Sequence, residues 1–415
     1  MEQARGDGVG RSDGGTILTF SLIALLAGQV TAILADRLNN IALIGLLSEH
    51  TDRFAQAGST FELSKLALAM TLPALILGPL AGAYVDRSSR RRVLVASDVV
   101  RGAAALAIPL LQPALPFWTV YGMVALLYIG GLFFVPARCA IVPEIVARPN
   151  LLRANSLITL GSTLATIAGF SLGGILVTRA GWRTALVADA ACYFLSASAL
   201  AMLPASPAAP GEKRGPAYFS AIAGAVREVR RLAGARMGIV IPPLIVAAGS
   251  ATYVLGVAMI EKRFEHGTMA IGFLTSLAGV GMAAGGYLTA TFLKGPSRER
   301  VMLGAALIAI ASLAAVAFTG QVIVVAAGIL IAGFAAGPVF VVSETAIQEE
   351  ATRRRQGTTF AVRDALMRLA SAGAAVVAPL VGALVGLRPA LPIVLAALLV
   401  TVALSAALTR PSRAA

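Results

Sequence analysis

Long apolar runs alternate with short polar ones along almost the whole chain. Runs of about 20 mostly apolar residues are long enough to cross a hydrocarbon core as a helix. They fall near 17–48, 63–85, 92–112, 117–137, 154–178 and 183–203, and again near 237–260, 268–293, 301–319, 321–345, 360–386 and 389–409. All are expected to be helical, because an open sheet edge leaves backbone groups unsatisfied in lipid. The first run exceeds the short apolar core of a cleaved signal, so it is read as a mature membrane helix. The pattern predicts an all-α integral membrane protein with 12 transmembrane helices. Its parts are a tail over 1–16, a six-helix bundle over 17–203, a linker over 204–236, a second six-helix bundle over 237–409 and a tail over 410–415. In the linker, Phe219, Ile222, Ala223, Val226 and Val229 recur at helical spacing among Arg227, Arg230 and Arg231. That segment reads either as an amphipathic helix on the membrane surface or as a partly ordered connection.

Composition strengthens this picture. Of 415 residues, 58% are apolar and 13% charged, against about 25% charged in a soluble domain. A soluble enzyme, a disordered chain and a secreted disulfide scaffold are excluded. The net charge of +14 raises the question of nucleic acid, and the placement of the charges answers it. With the N-terminus inside, the inner segments hold 23 Lys and Arg residues and the outer loops 6. The other five, Arg37, Lys65, Arg101, Arg363 and Arg368, fall within spans. This asymmetry predicts a multi-pass protein of the plasma (inner) membrane with both termini cytoplasmic. Membrane lipid, not nucleic acid, is the expected macroscopic partner.

The two halves also resemble each other. Offset by 208 positions, Gly78, Leu80, Arg90, Arg92 and Val93 meet Gly286, Leu288, Arg298, Arg300 and Val301. Duplicated bundles enclosing a midplane site are a transporter architecture. There is no Gly-x-x-x-x-Gly-Lys-Ser/Thr run to hold a nucleotide phosphate. Cys139, Cys192, His50 and His266 offer no metal or catalytic spacing. No enzymatic activity, cofactor or metal is expected, and an ion gradient is the expected source of work.

The loop after the second span reads Gly78-Pro-Leu80-Ala-Gly82-Ala-Tyr-Val-Asp86-Arg87-Ser-Ser-Arg90-Arg91-Arg92. Gly78 and Gly82, four apart, suit close helix approach. Asp86 and the arginines suit charge pairs that latch an inner gate. This loop resembles the signature of the major facilitator superfamily, Gly-x-Leu-x-Gly-x-x-x-Asp-Arg-x-Gly-Arg-Arg, with Ser89 in place of the third glycine. Further runs resemble its enterobactin-exporter and macrolide-efflux branch: Phe134-Val-Pro136-Ala137-Arg138, Val142-Pro143-Glu144, Leu152-Arg-Ala154-Asn155-Ser156-Leu157, and Gln348-Glu349 with Gly357 and Phe360-Ala361. Gln356 and Thr358 depart from the arginines usual around Gly357. The small residues Ala165, Gly169, Gly173 and Gly174 of the fifth span resemble the superfamily's antiporter motif, with Phe170 at its central proline. They read equally as an ordinary small-residue interface.

Polar residues inside spans are the candidate site. A charge near the bilayer centre costs about 2.5–3.5 kcal/mol by insertion scales, so each needs a partner, a cavity or a role. Gln29, Asp36 and Asn40 share a face of the first helix, which the resemblance turns toward a central cavity. Asp36 is the first candidate for proton coupling, with a structural Asp36–Arg37 pair as the alternative. Asp98 and Arg101, three apart near the inner end of the third span, are expected to pair with each other or with the Asp86 loop. Asp189 is expected in a local hydrogen bond. Glu344, Arg363 and Asp364 are candidates for the gate of the second half. Tyr121 and Tyr128, seven apart, and Tyr253 beside Ser250 and Thr252, are uncharged cavity candidates. The expected cargo is a small molecule, amphiphilic or largely apolar and neither a sugar nor a highly charged anion, because few charges are expected to face the cavity. The resemblance implies a monomeric, proton-coupled exporter of a natural product, siderophore or drug. Import of a small metabolite and a non-transporting membrane sensor remain the alternatives.

Overall fold

The computed structural model describes residues 19–52, 60–86, 88–147, 150–204, 235–263, 267–292, 298–319, 321–350 and 356–409. The expected terminal tails, Arg87 and most of the linker, including its expected surface helix, lie outside the described residues. Of Gly82 and Asp86 only the helical backbone is described.

Every described element is a helix. In chain order they are α1 (Phe20–His50), α2 (Thr60–Asp86), α3 (Arg90–Leu111), α4 (Trp118–Ile145), the long run Leu151–Ala201, α7 (Ala235–Arg263), α8 (Gly267–Phe292), α9 (Arg298–Val316), α10 (Val322–Glu350), α11 (Gln356–Val385) and α12 (Leu387–Thr409). The long run is broken at Gly181 (φ 81°, ψ 163°). Its arms are α5 (151–180) and α6 (182–201). Ten helices among the described residues are long and apolar enough to cross a membrane, the long run counting once. The expected count of twelve is reached only by counting its two arms separately and adding α9. That helix stops at Val316, where a longer span to 319 was expected, and its apolar part is shorter than the rest.

Local chemistry explains several boundaries. Thr19 caps α1, its hydroxyl accepting from the Leu22 N–H at 3.3 Å. Prolines 109, 136, 143, 242, 243, 338, 379 and 392 sit inside helices without ending them. Neighbouring helices let a spanning helix tolerate such breaks.

Successive helices run antiparallel, so one face of the bundle carries the first residues of α1 and the end of α12. We call this the terminal face and the opposite one the distal face. The two halves repeat one packing scheme. Helix α1 packs on the α5–α6 run as α7 packs on α11 and α12, α2 on α4 as α8 on α10, and α3 on α4 as α9 on α10. One core lies wholly in the first half around Leu94, Phe134 and Ile141, and another wholly in the second around Leu255, Ile310 and Val339. A third joins both halves through Ile44, Leu47, Trp182, Val254 and Ile271. The outer surface carries Phe20, Ile76, Trp118, Phe318 and Leu384, an apolar coat that lipid covers.

Between the halves, α5 crosses α8 as α11 crosses α2. A Cβ on Gly272 would lie 2.4 Å from the Phe170 carbonyl oxygen, and one on Gly174 would lie 3.0 Å from that of Met269. Only glycine admits this approach. Among the described residues, hydrogen bonds between the halves are those from Ser48 to Glu261 (2.8 Å), from Ser64 to the Ala375 carbonyl (2.6 Å), from Ser276 to the Ile167 carbonyl (2.9 Å), and between Ser171 and Ser276 (2.8 Å). All lie on the distal halves of their helices. The halves are therefore sealed toward the distal face.

Gly78 departs from expectation. A Cβ there would meet nothing within 4 Å, so it does not serve close helix approach. The tight glycine seam is its counterpart in the second half. Gly281 and Gly285 of α8 press on Leu330 and Phe334, while Gly333 and Gly337 of α10 press on Ala278 and Met282.

Gly181 occupies a backbone region that is essentially glycine-only, with open space where a side chain would project. Gly181→Ala should therefore lower stability through the backbone alone, by about 1–3 kcal/mol. Thermal unfolding of the purified protein in detergent measures this.

Candidate functional site

A cavity of about 480 Å³ opens among α1, α2, α3 and α4, reached by Ser162 of α5 and by Arg368 of α11. Gln29, Asp36 and Asn40 line it together, as one helical face requires. Gln29 donates to Ser162 (2.7 Å). Asn40 donates to the Asp36 carbonyl (2.6 Å) and accepts from the Tyr128 hydroxyl (3.3 Å).

The centre of the cluster is Arg101, whose side chain is 3% exposed. Its guanidinium bonds Asp98 on its own helix and Asp36 on α1, the latter at 3.1 Å. The rings of Phe134 and Tyr193 stand 4.6 Å from it, an arrangement that adds cation–π attraction. Gly130 makes room on α4, since a Cβ there would lie 2.8 Å from Arg101 Cγ. Tyr193 donates its hydroxyl to Asp36 at 2.6 Å, and Ser196 donates to Asp98. Asp36 faces the cavity with its side chain 36% exposed, whereas Asp98 is fully buried behind Arg101. Asp98 and Arg101 pair, and Arg101 also joins the central cluster. It lies eleven residues beyond Arg90, about 16 Å up the helix, so the assignment of this pair to the 78–92 loop is revised.

The alternative Asp36–Arg37 pair does not form. Adjacent helical residues point about 100° apart, and Arg37 turns to the Phe170 ring, 5.4 Å from its centroid. Its own line of contact is with α5, where Gly169 would bring a Cβ within 2.6 Å of Arg37 Cβ. Gly173 lies against Ile41 of α1, and Gly174 faces Met269 of α8. The small residues of α5 thus serve two neighbours. Asp189 is buried and accepts from Asn39 at 2.8 Å, as a local bond requires.

The tyrosines separate. Tyr128 lines the central cavity. Tyr121 does not: its hydroxyl bonds Glu62, which also pairs with Lys65 at 2.6 Å, near the distal face. The seven-residue spacing puts both rings on one face of α4, but two turns separate their depths. Tyr253 opens onto a different cavity of about 710 Å³, mostly apolar and confined to the second half.

At the terminal face, Arg90 pairs with Glu144 of α4, and Arg91 donates to the Ala201 carbonyl. In the second half, Arg363 approaches Glu344 (3.7 Å) and Asp364 (3.4 Å) and donates to Ser343 (3.3 Å). These three candidates are therefore neighbours.

Several contributors lie outside the candidate site residues read from single helices. Arg138 and Arg368 line the central cavity beside Arg37 and Arg101, which overturns the expectation that few charges face it. Their membership depends on tertiary approach; only the position of Arg368 inside a span hinted at it. At the distal face, buried Glu261 accepts from Ser48 (2.8 Å) and Thr268 (2.6 Å), while Trp182 donates to Glu49 (2.7 Å). No cluster among the described residues has the His, Cys, Asp and Glu content to hold a metal.

Comparison with known proteins agrees with this architecture. The family profile of the Major Facilitator Superfamily matches residues 15–375. The multidrug efflux pump Tap of Mycolicibacterium fortuitum is 30% identical over 189 residues, 44% of this chain and 45% of Tap. Macrolide efflux protein A of Streptococcus pyogenes is 32% identical over 127 residues, 30% of each chain. The chain thus matches less than half the length of these relatives. A crystal structure of a bacterial homologue of the human lysosomal transporter Spinster superposes with a TM-score of 0.71, covering 94% of this chain and 95% of that one at 14% identity.

Removing Arg101 would leave Asp98 buried without its counter-charge. Breaking such a pair costs about 3–5 kcal/mol. Arg101→Met should lower stability by that order, and adding Asp98→Asn should recover most of the loss. A double-mutant cycle of unfolding in detergent reads the coupling.

Proposed function

The chain belongs to the Major Facilitator Superfamily, and from that premise we propose that it is a proton-coupled exporter of a small amphiphilic molecule. It works as a monomer in the plasma membrane, with the terminal face in the cytoplasm. The observation that carries this reading is Asp36, a cavity-facing carboxylate held by Arg101 and Tyr193. The similarity to macrolide and multidrug efflux proteins supports the outward direction.

The chemistry follows from the geometry. Ionised Asp36 accepts from Arg101 and Tyr193 and ties α1 to α3 and α6. A proton on Asp36 removes the ion pair and leaves Arg101 to Asp98 alone. The tie between α1 and its neighbours then weakens, and the balance between two arrangements of the halves shifts. In the arrangement seen here the distal seam is closed. Opening it requires separating α5 from α8 and α2 from α11, and breaking the Ser48–Glu261 bond. Cargo taken from the cytoplasmic side would leave when that seam parts, and a proton taken from outside would return with the empty site.

Reconstituted protein under an imposed pH gradient tests this, with a panel of fluorescent amphiphiles of both charge signs as cargo. Wild type should accumulate at least one of them against its gradient. Asp36→Asn should lose gradient-driven accumulation while retaining downhill equilibration. Equal, gradient-independent flux through both proteins would reject the role given to Asp36.

A further inference from the structure

The cavity wall is more positive than a carrier of neutral or cationic drugs requires. Arg37, Arg101, Arg138 and Arg368 line it, and among the described residues Asp36 is the only carboxylate that does. Asp98 lies behind the wall and is bound to Arg101. Four guanidiniums against these two carboxylates leave a formal charge of +2. Arg101 is shared by both acids. The other three have no carboxylate partner among the described residues. The Arg37 guanidinium lies over the Phe170 ring, and its Nε is buried without a hydrogen-bond partner among the described residues. Arg138 approaches the Cys139 sulfur at 3.7 Å. Arg368 enters from the second half, so the positive wall spans both bundles.

Unpaired guanidiniums at membrane depth are costly unless something neutralises them. A concave site with low-dielectric walls concentrates their field. Guanidinium forks bind carboxylate and phosphate groups with two parallel hydrogen bonds. Ile33, Met70, Leu132 and Val135 supply an apolar side to the same cavity.

We infer that the central cavity binds an amphiphilic organic anion, with Arg37, Arg138 and Arg368 receiving its carboxylate, sulfonate or phosphate group. This rests on the cavity's being the cargo site, but not on proton coupling. Because Arg368 belongs to α11 while Arg37 and Arg138 belong to α1 and α4, the anion also draws the two halves together on the open side. The bound anion thus completes a contact between the bundles that the described residues leave unmade.

Equilibrium binding of a matched probe pair, without any gradient, tests the inference. Dansylglycine carries a carboxylate, and dansylcadaverine carries an ammonium on the same fluorophore. In nanodiscs of zwitterionic lipid, dansylglycine should bind at least about tenfold more tightly, the worth of one charged hydrogen-bonded contact. Its affinity should fall with added salt. Arg37→Gln and Arg138→Gln should each weaken it about tenfold, and the Lys substitutions should restore part of the loss. Arg183→Gln, at an exposed distal position away from the cavity, should leave binding unchanged. If anionic lipid in the nanodisc displaces the probe, the anion is a lipid headgroup; if not, it is a soluble acid. Equal or tighter binding of dansylcadaverine, or wild-type affinity in both Gln variants, would overturn the inference. Flux that ignores the pH gradient in the wild type and in Asp36→Asn alike, with anion preference intact, would instead reject only the proton-coupling role.

Discussion

A guanidinium held inside a membrane bundle has to be neutralised where it stands, and four helices arrange themselves around that need at Arg101. Asp98 lies one turn away on the same helix, Asp36 reaches across from α1, Phe134 comes from α4 and Tyr193 from α6. Gly130 lets α4 approach the arginine stem, and Ser97 donates to the Gly130 carbonyl at 2.6 Å to hold the two helices in register. Two carboxylates and two rings address the charge, and Gly130 and Ser97 address the space and register around it. The same residues therefore set the packing of the first half and the chemistry of its cavity. Of the two carboxylates, Asp36 has two options, because it borders the cavity and Asp98 does not. A group shared between a buried structural pair and an aqueous site is where protonation can change helix packing.

The seal between the halves is built differently. Its contacts are the apolar core shared by both halves around Ile44, Leu47, Trp182, Val254 and Ile271, backbone approach at Gly174 and Gly272, and single hydroxyl bonds from Ser48, Ser64 and Ser276. Among the described residues no ion pair crosses it. Each hydroxyl–carbonyl bond is worth about 0.5–1.5 kcal/mol, so apolar contact and weak polar bonds hold the seam, and charge does not. An interface that must open and close suits this composition. Within the second half, by contrast, Gly281, Gly285, Gly333 and Gly337 hold α8 and α10 backbone to backbone, so those two helices move as one body.

The sequence made the fold largely legible, because hydropathy reports the solvent around each helix. Expected spans and observed helices agree closely except where local geometry intervenes. Gly181 hides a sharp turn within one hydrogen-bonded run, and α9 ends before the polar residues near 319. The site was legible only along single helices. The shared face of Gln29, Asp36 and Asn40 follows from helical spacing, as does the Asp98–Arg101 pair. The meeting of Asp36 with Arg101 spans 65 positions and depends on how α1 crosses α3. Tyr121 and Tyr128 show the limit of periodicity, which assigns a face but not a depth. Arg138 stands in a family-like run, and only tertiary packing gives it a place in the cavity wall.

Charge also constrains the energetics of a transport cycle. Suppose an anion leaves through this cavity while one proton enters on Asp36. Both movements then carry charge in the same electrical direction, negative outward and positive inward. With the cell interior negative, the membrane potential favours each of them by about 2.3 kcal/mol per charge per 100 mV. A cation exchanged for one proton would be electrically neutral and would gain nothing from the potential. The arginine wall adds a second consequence. With a monovalent anion bound the formal charge of +2 falls to +1, so the occupied cavity has less unpaired charge to carry across the hydrocarbon region than the empty one. The empty cavity is positive, and its return toward the inside runs with the field. A wall of unpaired guanidiniums is thus costly for an idle pocket but consistent with a site that is partly neutralised by its cargo in one direction and drawn back by the membrane potential in the other.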